Sequence, residues 1–371
     1  MENQNKVRHV LGISGGKDSA ALAIYMKNKY PNLDIDYYTC DTGKELDETY
    51  RLVENLEGYL GKEITKLRVA KDSMVNPFDH LLEIKGNYLP SHFSRWCTKE
   101  LKLKPFEDWV KNDPIVSYVG IRGDEDREGY ISTKSNIQSI FPFRKNLWSS
   151  DVISKALNNK NRTKLVEFYQ QEAISHKLDR TIEIVNEPIA ISFQQDKKLQ
   201  MLMDLDTKAF NRVIFQFLQS TDYPLSKVND YPVLDNDDIL IREDIFDLLR
   251  ESGVGVPNYY EKIEYTVDGQ VGYYARSRSG CYFCFFQQKI EWVWLLEQHP
   301  QLFQLAIDYE KEGYNWIQDE PLIELMRPER VHAIKSEHLK RMNRIQANKK
   351  SPFLTDILDE EEGVGCAACF I

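Results

Sequence analysis

Val7-Arg8-His9-Val10-Leu11-Gly12-Ile13-Ser14-Gly15-Gly16-Lys17-Asp18-Ser19 is the stretch that decides the fold. Val7 to Ile13 is a short apolar run carrying β-branched residues, the composition of a strand buried in a parallel sheet. Ser14 to Ser19 forms a Gly-rich turn, and Ala20 to Lys29 reads as a helix ending before Pro31. A strand that passes through such a turn into a helix exposes backbone N–H groups with no intrahelical partner. The helix dipole adds partial positive charge at the same place. That arrangement cradles phosphate. The G-x-x-x-x-G-K-[ST] spacing of a Walker A loop is missing, and the bland alternative is a tight turn capped by Asp or Ser.

Working outward, the alternation continues. Ile35 to Cys40 reads as a second strand closed by Asp41-Thr42-Gly43, and Leu46 to Leu60 as an amphipathic helix with Leu52, Leu56 and Tyr59 at helical spacing. Ile64 to Val69 and Ile115 to Ile121 read as third and fourth strands. This rhythm predicts an α/β fold over residues 1–147, a doubly wound parallel sheet with helices on both faces. Residues 148–237 are polar and largely helical, with Lys164 to His176 and Thr207 to Gln219 the better helix candidates; they read as an inserted helical module packing a small local core. Residues 238–371 form a helical C-terminal region: Glu243 to Ser252, Lys289 to His299, Pro300 to Lys311 and the basic helix His332 to Asn348, then an acidic run and a cysteine-bearing tail.

The 371 residues carry a net charge of −10, which excludes a grip on nucleic acid through the overall field. A local exception is the basic helix, with His332, Lys335, His338, Lys340, Arg341 and Arg344; its commoner meaning is a solvated helix face. No apolar run approaches the roughly 18 residues of a membrane span, and MENQNKVRHV lacks the apolar core of a signal peptide. A cytoplasmic protein with no membrane partner is the expectation. Six cysteines are too few for a disulfide scaffold. Cys281 and Cys284 form one C-x-x-C and Cys366 and Cys369 another, with Cys40 and Cys97 alone. In a reducing compartment such pairs suggest metal, iron–sulfur or thiol chemistry.

Four segments in order carry a family resemblance. Ser14-Gly15-Gly16-Lys17-Asp18-Ser19 resembles the pyrophosphate loop (PP-loop) of the adenine-nucleotide α-hydrolase superfamily. Asp41-Thr42-Gly43-Lys44-Glu45-Leu46-Asp47-Glu48-Thr49 looks like the corresponding segment of the phosphoadenylyl-sulfate reductase branch. Gly120-Ile121-Arg122-Gly123-Asp124-Glu125-Asp126-Arg127 resembles that branch's G-x-R-x-x-E-x-x-R stretch. Gly280-Cys281-Tyr282-Phe283-Cys284 is similar to the G-C-x-x-C of iron–sulfur reductases and of the Dnd-type DNA phosphorothioation sulfurtransferase component. Departures exist: Trp96 stands where iron–sulfur reductases carry the first of two adjacent cysteines, and the E-C-G-L-H-like ending of the reductases is replaced by Gly365-Cys366-Ala367-Ala368-Cys369.

The resemblance implies an ATP pyrophosphatase and sulfurtransferase that adenylates an acceptor so that sulfur can displace AMP, in the Dnd case for DNA phosphorothioation in phage defence. It implies that Ser14, Gly15, Gly16, Lys17, Asp18 and Ser19, with Asp41, Thr42 and Gly43, hold Mg·ATP. Asp18, Lys17, Arg122 and Arg127 become the catalytic candidates, the arginines as anion contacts because a guanidinium offers oxygen anions a fixed fork. A [4Fe-4S] cluster would take Cys97, Cys281, Cys284 and, as fourth ligand, Cys369; Cys366 is the alternative, as is a tail pair acting as a mobile sulfur-carrying dithiol. Expected partners are a sulfur donor such as a cysteine desulfurase and a DNA or RNA acceptor engaged within a complex. Two other readings stay open: reduction of an adenylyl sulfate to sulfite, and ATP sensing without turnover in a defence complex.

Overall fold

The computed structural model describes residues 6–125, 132, 134–172, 175–311, 313–318 and 320–348. Its centre is a five-stranded sheet of β1 (Arg8–Gly12), β2 (Ile35–Cys40), β3 (Ile64–Leu67), β4 (Ile115–Tyr118) and β5 (Ile137–Ile140). The order is β3-β2-β1-β4-β5 and every neighbouring pair is parallel, so the α/β, doubly wound expectation holds. Strand periodicity explains why β1 is apolar throughout its second half. Val10 joins an apolar cluster with Tyr38, Phe106 and Val110 on one face, whereas Leu11 joins the large cluster on the other.

Helix α1 (Lys17–Lys29) is buried along most of its length, from Lys17 to Met26. Ala20, Ala21 and Ala23 let it lie close, between the sheet and the Arg242–Glu251 helix. Helix α2 (Asp47–Leu60) buries Leu52, Val53, Leu56 and Leu60 and stops at Gly61, whose φ of 63° supplies the left-handed cap. Strand order reverses between β1 and β4. The loops after these two strands, residues 13–16 and 119–125, therefore flank the crevice in which open α/β sheets bind ligands.

Two elements differ from the sequence expectation. Strand β5 was not anticipated, because Gln138 and Ser139 interrupt its apolar pattern; both are buried, and Gln138 Oε1 accepts the Leu225 amide at 3.1 Å. The hairpin β6 (Ile263–Val267) and β7 (Gln270–Tyr274) was also missed, although its Asp268-Gly269 turn, both residues at positive φ, is a recognisable hairpin signal.

The stretch 148–237 is helical as expected, with its helices including Arg162–Glu172, Ser175–Asn186, Gln195–Leu205 and Thr207–Leu218. It does not close on a core of its own. One apolar cluster runs from Leu11, Val116 and Ile140 of the sheet through Trp148 and Val152 to Phe210, Val213 and Ile214. Phe210 is fully buried in that shared cluster. Phe210→Ala should therefore lower stability by ~3–5 kcal/mol. Chemical denaturation followed by tryptophan fluorescence should show one transition displaced to lower denaturant, with no early separate step for the helical stretch.

Candidate functional site

The turn after β1 is closed on itself. The Ser14 amide donates to Ser19 Oγ at 3.2 Å, and Ser19 Oγ donates to the Gly16 carbonyl at 3.2 Å. Gly16 caps the 13-residue helix α1 without any side-chain hydrogen bond of its own. Gly15 is required by geometry, and Gly16 packs closely against Ser279. Gly15 has φ of 72°, and a Cβ there would lie 2.2 Å from Thr49 Cγ2; a Cβ on Gly16 would lie 2.8 Å from Ser279 Oγ. Ser14 to Ser19, the residues expected to hold the nucleotide, thus lie at the switch point of the sheet.

Asp18 is buried, with Lys17 Nζ 3.0 Å from Oδ2 and Arg122 Nη1 2.9 Å from Oδ1. Burial pushes the Asp18 carboxyl up, but the Lys17 and Arg122 cations outweigh it and hold the carboxyl below its ordinary range. Arg122 is itself only 4% exposed and also pairs with Asp124 at 2.9 Å and Glu125 at 3.0 Å. Its guanidinium meets carboxylates, so the structure places it on Asp18. Gly120 makes this approach possible, since a Cβ there would lie 2.8 Å from the Asp18 carbonyl. Arg127 lies outside the described residues.

The segment after β2 stands beside the turn. Gly43, at φ of 76°, donates its amide to Asp41 Oδ1 at 2.9 Å, and Arg68 Nε lies 3.2 Å from Asp41 Oδ2. Thr42 Oγ1 donates to Glu45 Oε1 at 2.6 Å and lies 3.3 Å from Cys281 Sγ. The C-x-x-C thus reaches the nucleotide candidates. Glu45 and Cys281 form a β-bridge, and the Tyr282 amide donates to the Lys44 carbonyl at 3.0 Å. Cys281 and Cys284 keep some accessible surface, yet burial among apolar side chains pushes both thiols up.

Cys97 packs on the same apolar cluster as Cys281. Cys40 is buried in a separate apolar cluster, its Sγ 3.6 Å from the Lys102 carbonyl, and burial pushes its thiol up to about 12. Among the described residues no group of three or more His, Cys, Asp and Glu side chains is placed to hold a metal ion. Cys366 and Cys369 lie outside the described residues. The described thiols do not by themselves assemble the expected cluster set.

Sequence reasoning missed Tyr259, Tyr260 and Ser279, which wall the turn from the C-terminal region. Thr49 Oγ1 donates to the Tyr259 hydroxyl at 3.3 Å, and that hydroxyl donates to the Gly15 carbonyl at 3.1 Å. The Lys17 amide donates to the Tyr260 hydroxyl at 3.3 Å, and Ser279 Oγ donates to the Ser14 carbonyl at 3.4 Å. No periodic pattern marks these residues, because they sit in a single 3-10 turn and a loop.

Two outcomes test this geometry. Gly15→Ala should abolish ATP binding, read by calorimetry, because both the backbone angle and Thr49 oppose a side chain there. Arg122→Ala should move the acid limb of ATP binding to higher pH. With one of two cations gone, burial raises the Asp18 carboxyl, whose charged form is then lost earlier as pH falls. An affinity profile from about pH 4 to about pH 8 reads the shift.

Comparison with known proteins fits this picture. The uncharacterized protein MJ0066 of Methanocaldococcus jannaschii is 31% identical over 154 residues, covering 38% of this chain and 29% of that protein. The tRNA-specific 2-thiouridylase MnmA of Haemophilus ducreyi is 26% identical over 176 residues, 38% of this chain and 44% of that enzyme. The MnmA of Pasteurella multocida is 29% identical over 143 residues, 34% of this chain and 35% of that enzyme. The chain spans less than half the length of these curated relatives. No family model matches, and no solved structure matches. The parallel sheet, the turn at its switch point and the distant relatives together support the adenine-nucleotide α-hydrolase superfamily, without reaching the narrower reductase-like or Dnd branch.

Proposed function

We propose that this chain is a PP-loop ATP pyrophosphatase and sulfurtransferase whose acceptor is RNA. The observation that carries the proposal is the meeting of the phosphate turn with a thiol pair: Cys281 Sγ lies 3.3 Å from Thr42 Oγ1, and Ser279 of the same segment touches Ser14. A turn that holds the outer phosphates leaves the α-phosphorus open to an acceptor oxygen. That oxygen bonds to the α-phosphorus, the bond to the bridging oxygen breaks, and pyrophosphate leaves. A sulfur nucleophile then bonds to the activated acceptor atom, and AMP departs with the original oxygen.

The chain's residues have separate tasks in this scheme. The Gly-rich turn and the Asp18 and Ser19 amides bind the phosphates, while Lys17, whose own amide goes to the Tyr260 hydroxyl, keeps Asp18 ionised together with Arg122. Bound Mg·ATP supplies an electrophilic phosphorus and a charge-neutralised leaving group. Cys281 would take up sulfur from a donor such as a cysteine desulfurase as a persulfide whose outer sulfur attacks the acceptor; the Cys284 thiolate then displaces that sulfur from Cys281, and the disulfide so formed is reopened by a thiol reductant. The MnmA relatives are named for action on tRNA, which favours RNA over a DNA phosphate as acceptor. The four-iron cluster has no role in this scheme.

Pyrophosphate release from ATP, measured with and without added RNA, tests it. Release should depend on RNA, and Asp18→Ala should lower it by ~10²-fold or more. Cys281→Ser should leave pyrophosphate release in place and remove sulfur incorporation. Sulfite release from an adenylyl sulfate without ATP cleavage would overturn the proposal.

A further inference from the structure

The basic helix is not a plain solvated stripe. In Pro328–Asn348, His332 Nε2 lies 2.8 Å from Asp268 and Lys335 Nζ 2.6 Å from Glu297, contacts that pin the helix to the β6–β7 hairpin and to the Lys289–Gln298 helix. One turn further on, His338 and Arg341 face inward. With Arg242, Lys262 and Arg276 they line a cavity of about 360 Å³ between hairpin and helices. Among the described residues its acidic lining residue is Glu291. That carboxylate already accepts the Ser277 amide at 2.7 Å, the Ser277 hydroxyl at 2.9 Å and the Gln288 amide at 2.7 Å.

Arg276 sharpens the sign of this cavity. It is 1% exposed and, among the described residues, it makes no ion pair and its Nε and Nη1 have no hydrogen-bond partner. A guanidinium cannot shed its proton, and a buried charge without a counter-ion is costly. The Cys281 carbonyl at 3.2 Å and the rings of Tyr259 and Trp294, each 5.9 Å from the guanidinium carbon, compensate only in part. Positive potential is left over. Lys262, exposed at the rim, adds to it, and Tyr273 presents a half-exposed ring.

We propose that this cavity binds one phosphate-bearing nucleotide unit, its phosphate held by the basic lining and its base laid against Tyr273. The volume suits this occupant, since small-molecule sites begin at roughly 300 Å³. The site is separate from the phosphate turn but backs onto it, because the Arg276 amide donates to the Tyr259 carbonyl at 2.8 Å and Tyr259 in turn holds Gly15. It does not depend on the chain being a sulfurtransferase. The unit has two possible sources, a free nucleotide or a residue of a nucleic-acid strand.

The test is equilibrium binding of fluorescent UMP and of a fluorescent eight-residue oligouridylate to the full chain. A saturating non-hydrolysable ATP analogue fills the turn throughout. Binding of UMP supports a free nucleotide as the occupant, and binding of the oligomer alone supports a strand. In either case Lys262→Glu and Arg341→Glu should each weaken binding about tenfold or more, with the effect shrinking at high salt. Their affinity for the ATP analogue should stay that of the unaltered chain, which reports an intact fold. No binding of either probe, or binding indifferent to both charge reversals, would overturn the proposal.

Discussion

The Asp18 carboxylate is the constraint around which the rest of the molecule is arranged. It sits where strand order reverses, out of water, and ionisation there is possible only because Lys17 and Arg122 stand on either side of it. Arg122 comes from the loop after β4, so the pair ties the two loops of the switch point together. Removing either cation would strand a buried charge. The close approach in turn demands Gly120, where a Cβ would meet the Asp18 carbonyl.

The thiol pair is positioned by a different means. Cys281 arrives on a β-bridge to Glu45, and the segment from Tyr259 to Cys284 forms hydrogen bonds to the turn, to Thr42 and to Lys44. The C-terminal region is thus part of the site's wall. The same stretch forms the back of the basic cavity through Arg276, so one short segment separates two anion-seeking environments.

Much of this was legible in the residues. Val7 to Ile13 followed by the Gly-rich turn specified a strand, a tight turn and a helix, and the alternation to Ile121 specified the parallel sheet. These are local signals of period and turn chemistry, and they survive folding unchanged. Strand β5 was hidden because Gln138 and Ser139 look like loop residues until Leu225 is known to pair with one of them. The merging of the helical stretch with the sheet core was hidden for a similar reason: apolar spacing shows which side of a helix is buried and not against what. Arg122 was visible as an important cation, but its choice of carboxylates depends on Asp18 lying within 2.9 Å, a tertiary fact. Tyr259 and Tyr260 carried no signal at all, since a lone pair of aromatics in a loop has many meanings.

The wall contributed by Tyr259, Ser279 and Cys281 joins residues 239 to 265 positions apart in the chain. Closing so wide a span costs little more than closing half of it, about 0.6 kcal/mol per doubling, but it has to wait for the later residues to exist. During synthesis the Gly-rich turn is made first and remains half-built until the last third has emerged and docked. A nascent chain therefore carries the turn without its lid of tyrosines and without the neighbouring thiol, and the wall of the turn is ordered only when this later segment docks.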